Sequence, residues 1–411
     1  MTTKGEHSPA ASEMTRPVSR RAAVAALTAF TVNALIPAPA VLRRRYRLFA
    51  GASTEYSERA IRLVRSTVVV DLLNQFRFAD NAERPPLSER WRRQPNAFTP
   101  AHWEEYRTSG FRVFGIGEGA SSYEGGLRTV AEWNGFVAAY PQWFVRVGGA
   151  EDFARLSAND KIGILLNFQN ADHFRTVDDV DTFWGLGQRS SQLTYNQTNR
   201  LGSGFLADTD GGLTEYGAQI LTRMQQVGMA VDLAHAGDRT TLDALAAATK
   251  TVIVSHSACR AVAPGHLRAK TDEAIAKVAK LGGVMGIPMI RFMVKLDEPV
   301  TIEHVLDHFD HVAKTVGVEH VGIGGDLDLV GNANPVNSAE GKQVIPSNQP
   351  NFDRYHFHTG DDGKLAVPTL DHPKRTYDLA EGLIRRKYSD ADIGLMLGGN
   401  WRRVLSSIWR V

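Results

Sequence analysis

Six polar residues stand where apolar runs end: Asp71, Gln169, Tyr195, His235, His256 and Asp326. Imidazoles at 235 and 256 can ligate a divalent cation, an aspartate can take a proton from water, and a phenol can donate to a developing oxyanion. The run GMAVDLAH ends at His235 and TVIVSH ends at His256. Asp and His are poor strand formers, so closing strands with them calls for a reason. Two histidines at equivalent ends of consecutive strands, with Asp326 across the same mouth, form a metal-binding and proton-transfer constellation. Taken singly, each residue has a plainer reading. A lone histidine is usually hydrogen-bonded structure, Asp326 in Gly-Gly-Asp can cap a turn, and Asp71 can collect loop amides. His304, His308 and His311 form an i, i+4, i+7 stripe that opposes the apolar face of its helix and reads as solvated. Cys259 is the sole cysteine, which excludes an intrachain disulfide and a thiolate cluster, and it reads as an inert small hydrophobe.

The elements that would position these groups alternate short apolar runs with helical patterns. Eight strands are expected, at 67–73, 112–117, 161–169, 191–196, 228–235, 251–256, 283–289 and 320–326. Near-continuous apolar strands suit a parallel sheet covered on both faces. Thr214 is expected to cap a helix that Gly228 ends, Thr271 one that Gly282 and Gly283 end, and Thr301 one that Gly317 ends. Eight strands separated by helices predict an α/β fold, a single-domain (β/α)8 TIM-type barrel, with a doubly wound sheet as the runner-up. From Gly331 to about Arg375 the pattern lapses into a long loop, and two helices at 377–386 and 390–397 are expected to close the chain.

Bulk properties narrow the function. The 411 residues are 43% hydrophobic and 22% charged, with 47 basic against 45 acidic side chains and a net charge of +2. That balance carries no broad nucleic-acid footprint, and much of the excess lies in the first fifty residues. Ser19-Arg20-Arg21, a mild apolar run from Ala22 to Leu35, and Pro37-Ala38-Pro39-Ala40 resemble a twin-arginine export signal. Residues 1–50 therefore read as an export signal or disordered segment, and 51–411 as the barrel. The expected location is exported, periplasmic or extracytoplasmic. Arg43-Arg44-Arg45 leaves a membrane-associated N-terminus open.

From about residue 60 onward the chain resembles the membrane (renal-type) dipeptidase family. The resemblance rests on LTYNQTNRLGSG, DGGLTEYGAQILTRMQQVGMAVDLAH, VIVSHSACRAVAPGHLRAKTDEAI, HVGIGGDLD and YSDADIGLMLGGNWRRVL. It implies a (β/α)8 barrel that hydrolyses dipeptides and related amides with two bridged zinc ions, and it leaves a homodimer open. By the same resemblance the second-zinc histidines fall on His235 and His256, the arginine that grips the substrate carboxylate on Arg268, and the acid near the metal-bound water on Asp326. The first-strand His-x-Asp becomes Leu73-Asn74-Gln75, the bridging glutamate becomes Gln169, and a substrate-contacting histidine becomes Tyr195.

Those replacements decide one question. Leucine cannot coordinate a metal, amides are neutral, and two nearby cations repel without anions between them. The expectation is one zinc ion on His235, His256 and Gln169, with Asp326 and Tyr195 catalytic, Arg268 substrate-binding, and a dipeptide or similar small amide as substrate. His173, Asp172, His356 or His358 would be sources of a further ligand. A catalytically inactive binding protein on the same scaffold is the alternative, and lactone or ester hydrolysis, motivated by Tyr195, is a third reading.

Overall fold

A computed structural model describes residues 44–49, 54–76, 87–329 and 364–409. The expected N-terminal signal and most of the long loop, including His356 and His358, lie outside the described residues. The chain divides into two compact units, and the second, Tyr56–Val411, contains the barrel.

Among the described residues of that unit a parallel sheet is built from β1 (Val69–Asn74), β2 (Phe111–Glu118), β3 (Phe144–Arg146), β4 (Ile162–Phe168), β5 (Gln188–Gln192), β6 (Ala230–Asp232), β7 (Val252–Ile253), β8 (Met285–Ile287) and β9 (Val321–Ile323). Neighbours run β8-β9-β1-β2-β4-β5-β6-β7, and β3 pairs beside the start of β4. A parallel bridge between Val254 and Met285 joins β7 to β8. There Val254 N–H donates to the Val284 carbonyl at 3.0 Å and Gly286 N–H to the Val254 carbonyl at 2.8 Å. The eight main strands therefore close into the (β/α)8 barrel, and the doubly wound alternative is set aside.

One buried cluster gathers Val70 and Leu72 of β1, Val113 of β2, Leu165 of β4, Ala230 of β6, Ile253 of β7 and Val284, together with Trp401, Val404 and Leu405. A cluster drawing on strands all round the sheet belongs inside the cylinder, where layers of side chains fill the core. Trp401 Nε1 donates to the Ile323 carbonyl at 2.9 Å and ties the C-terminal helix to β9.

The helix ends follow the expected chemistry. Thr214 accepts the Gly217 amide at 2.9 Å, and the helix Glu215–Val227 stops at Gly228 with φ +81°. Thr271 caps Asp272–Lys280, and Thr301 precedes Ile302–Val316. The closing helices are Arg375–Arg385 and Asp390–Gly394, and a π-turn then leads into Asn400–Ile408, which the sequence reading did not foresee.

Three further differences have physical reasons. The strand expected at 191–196 lies earlier, at Gln188–Gln192, because a polar QRSSQ run buried between neighbours carries no apolar signal. Strand β3 is three residues long, too short for a period to register. The histidine stripe is corrected: His308 is fully buried, its Nδ1 accepting the Cys259 amide at 3.1 Å and its Nε2 donating to the Val294 carbonyl at 2.8 Å. At His308 the helix face read as solvated is covered by those two segments, whereas His304 and His311 stay partly exposed. His304 instead accepts the Thr301 amide at 3.0 Å, and His311 meets Asp272 at 2.7 Å.

Buried ionisable groups away from the site set an acid limit. Burial pushes His173 and His308 each down to about 4. Both stay neutral in the fold and protonate on unfolding. Their contribution is therefore complete above the ordinary histidine value of about 6.5 and is lost as pH falls toward about 4. Asp71 works in the opposite sense, because burial pushes its carboxyl up to about 6. It favours the fold in acid, and that contribution fades as pH rises from about 4 through about 6. Between about pH 6.5 and 5 the two histidines lose roughly 3 kcal/mol together and Asp71 regains roughly 1. These three groups alone lower stability by about 2 kcal/mol over that step, and His235 and His256, also held below the ordinary histidine range by burial, add to the fall that urea unfolding should show. A flat or rising profile would contradict this balance.

Candidate active site

The functional side chains cluster just past strand ends. Tyr195, His235, His256 and Asp326 each lie three residues beyond β5, β6, β7 and β9, and Gln75 and Gln169 lie one residue beyond β1 and β4. Regular strands stop at Asp232 and Ile253, where the Asp232 carboxylate accepts the amides of Ala234 (3.0 Å) and Ser255 (2.9 Å). One buried aspartate thus sets the start of both histidine loops.

His235 Nε2 and His256 Nε2 are 3.0 Å apart, and both rings are buried. Their outer nitrogens are occupied. His235 Nδ1 faces Asn196 Oδ1 at 2.6 Å, and His256 Nδ1 faces Ser255 Oγ at 2.8 Å. An amide oxygen can only accept, so His235 carries its proton on Nδ1 and presents a bare Nε2 lone pair to its neighbour. Burial, then the nearby charge of Arg268, holds both imidazoles well below the ordinary histidine range. Two neutral rings aimed at one point can share a cation, or His256 Nε2–H can donate to His235.

Asp326 Oδ2 lies 4.0 Å from His256 Nε2, and Asp326 Oδ1 accepts the Gln75 amide at 2.9 Å. Its backbone is left-handed at φ +55°, which aspartate tolerates better than most residues, and its N–H donates to the Leu73 carbonyl at 2.8 Å. Tyr195 stacks on His235 with centroids 4.2 Å apart and 24° between planes, and it is 44% exposed. Arg268, 1% exposed, donates from Nη1 to the Ala234 carbonyl and to Ser257 Oγ, and from Nη2 to the His256 carbonyl at 2.9 Å.

Gln169 stands at the same rim, its Nε2 donating to the Gly117 carbonyl at 3.1 Å. A Cβ on Gly117 would lie 3.2 Å from Gln169 Nε2 and 3.3 Å from Gln75 Nε2, so this glycine makes room for both amides. Asp71 is structural, accepting the Gly325 amide at 2.7 Å and Asn74 Nδ2 at 2.9 Å. His173 is directed elsewhere, with Nε2 on Gln188 at 3.0 Å and its ring among Phe168, Phe174 and Phe183. Asp172 accepts Asn170 Nδ2 at 2.7 Å. Cys259 is buried, and burial raises its thiol. Sequence reasoning missed Asn196 and Ser255 as partners of the imidazoles, and Gln75 as a partner of Asp326. The Asn in LTYN and the Ser in VSH, each beside a site residue, were the available signals.

A parallel (β/α)8 barrel whose histidines, aspartate and arginine converge past the strand ends has the architecture of a barrel hydrolase. The profile of the membrane dipeptidase family (peptidase family M19) matches residues 97–339, and the chain belongs to that family. It is 31% identical over 228 residues to a dipeptidase, verJ, of Clonostachys rogersoniana, a match covering 55% of this chain and 50% of that protein. The chain thus spans about half the length of that curated relative. An amidohydrolase from Pseudomonas aeruginosa shares the fold with TM-score 0.70 and 23% identity, over 85% of this chain and 99% of that one. A metallopeptidase from Rhodobacter sphaeroides, solved with a phosphinate mimic of the dipeptide L-Ala-D-Ala, does so with TM-score 0.65 and 17% identity, over 84% and 100%.

Proposed function

We propose that the protein hydrolyses dipeptides or similar small amides with the help of one zinc ion held by His235 and His256. The observation that carries this reading is the convergence of two neutral imidazole Nε2 atoms 3.0 Å apart, beside the Asp326 carboxylate. Two Zn–N bonds in tetrahedral geometry span about 3.3 Å, so the pair fits a single cation with little adjustment. A second cation does not fit. Leu73 has no donor atom and Gln75 and Gln169 are neutral. Among the described residues no three His, Cys, Asp or Glu side chains group as a metal site, so the proposed single ion rests on the two imidazoles with neutral donors around it. Gln169 Oε1 and water would complete the coordination.

When bound, the cation supplies Lewis acidity toward the scissile carbonyl and toward water. The protein's own groups do the rest. Asp326, steadied by Gln75, takes the proton of the attacking water and delivers it to the leaving amine. Arg268, its guanidinium fixed by three hydrogen bonds, provides the positive charge for a substrate carboxylate. The Tyr195 phenol, carried at the exposed rim by its stack on His235, donates to the developing oxyanion.

The test is metal analysis of the purified protein with a dipeptide panel. One equivalent of zinc and measurable hydrolysis are expected, and neither metal nor turnover would reject the reading. Asp326→Asn offers a finer check, because asparagine also tolerates the left-handed backbone. Turnover should fall about 10²- to 10⁴-fold with KM little changed. An unaffected rate would remove Asp326 from proton transfer.

The loss of anionic donors also favours a second reading, a binding protein on an inactive scaffold. A thermal shift with carboxylate-bearing ligands but none with zinc would select it. Export through a twin-arginine signal is part of the proposal, since residues 19–21 supply that pattern. No helix among the described residues is long and apolar enough to cross a membrane.

A further inference from the structure

Lys270, in the loop that follows His256, is 3% exposed and has no part in the chemistry above. Taking an ammonium out of water is costly, and burial pushes its pKa down to about 7. The backbone fixes where its side chain must go. Lys270 N–H donates to the Ala258 carbonyl and its own carbonyl accepts the Arg260 amide, both at 2.9 Å. Nζ donates to the Ala236 carbonyl at 2.7 Å and to Thr241 Oγ1 at 3.1 Å, both neutral oxygens.

Ala236 directly follows His235, and the turn there is gripped at three successive carbonyls. Arg268 Nη1 holds that of Ala234, the Phe205 amide holds that of His235 at 3.0 Å, and Lys270 Nζ holds that of Ala236. Arg268 Nη2 also holds the His256 carbonyl. Residues 268 and 270 thus reach from the loop after His256 to both sides of His235.

We infer that Lys270 is a positioning residue for the imidazole pair: it clamps the turn bearing His235 to the loop that continues from His256, and so sets the separation of the two Nε2 atoms. The inference rests on reading that pair as the cation site. Supports behind metal ligands are worth about 10- to 100-fold in affinity.

The test compares Lys270→Met with Lys270→Gln in the full chain. Methionine fills the space without a donor, whereas glutamine keeps an N–H for the Ala236 carbonyl. Cobalt(II) affinity, measured against a chromophoric chelator, should fall about tenfold or more in K270M and stay within about threefold in K270Q. The thermal midpoint of K270M should match or exceed that of the wild type, because a buried ammonium has been exchanged for an apolar side chain. Nitrogen–proton spectra of the imidazoles in metal-free protein give an independent readout. His235 should hold the Nδ1–H tautomer in wild type and K270Q and mix tautomers in K270M. Wild-type cobalt affinity in K270M overturns the inference, as does K270Q no better than K270M. A K270M protein that fails to fold also overturns it, by assigning Lys270 to the framework. If the wild type itself binds no cobalt, the cation reading falls separately. The spectra then decide, since an unchanged His235 tautomer in K270M removes the positioning role and a mixed one upholds it.

Discussion

Replacing His256 by alanine is expected to abolish cation binding and amide hydrolysis together, lowering turnover by at least about a thousandfold. His256 is the residue both halves of the site share: its Nε2 faces His235 at 3.0 Å and Asp326 at 4.0 Å. The ring is fully buried, so its removal also leaves a cavity and strips Ser255 Oγ of its partner. The stability cost is about 2–4 kcal/mol, enough to confuse a loss of activity with a loss of fold. His308→Ala is the matched control. That imidazole is equally buried and holds two hydrogen bonds, yet it lies outside the site. It should lose a similar amount of stability while keeping one zinc per chain and near-normal turnover per folded molecule. The measurements are metal content, turnover and thermal midpoint on both variants. Equal loss of zinc and activity in the two would make His256 a structural histidine and favour the inactive-scaffold reading.

The ease with which this site can be read from sequence differs residue by residue, for physical reasons. His235 and His256 are legible because each closes an apolar run, and in a parallel barrel such ends converge. Asp326 is legible for the same reason, through HVGIGGD. Strands β1, β2 and β4 are buried over most of their length and read directly as apolar runs. Strand β5 is almost as buried but is made of Gln, Arg and Ser, so only the topology reveals it. Contacts across the mouth leave no local trace. Nothing in the chain order joins Gln75 to Asp326, or Asn196 to His235. Lys270 is hidden more deeply still, because a lysine in a loop reads as solvated until the backbone is seen to turn it inward. The His308 error has the same origin. Helical period identifies one apolar face, but it does not say whether the other face meets water or another loop.

Restoring the altered positions with Leu73→His, Gln75→Asp and Gln169→Glu should raise zinc content from one to two equivalents and increase dipeptide turnover by at least about tenfold. The neighbours explain both the gain and its price in stability. Gln75 donates to Asp326 Oδ1 at 2.9 Å, so an aspartate there sets two carboxylates against each other where an amide had joined them. Gln169 donates to the Gly117 carbonyl, and a glutamate cannot make that bond. Without metal the triple variant should therefore be less stable than the wild type by about 1–3 kcal/mol for each lost hydrogen bond. Zinc should reverse the deficit, since each site filled at about 100 times its Kd contributes roughly 2.7 kcal/mol. Gln75→Asp alone should show the penalty without the recovery, because one carboxylate, with the donorless Leu73 two residues before it, gives a second ion too few donors. Thermal midpoints with and without zinc, alongside metal content, separate these cases. A triple variant that still holds one zinc, or that gains a second without any rise in turnover, would mean that the replacements belong to a mouth reshaped for something other than two-metal amide hydrolysis.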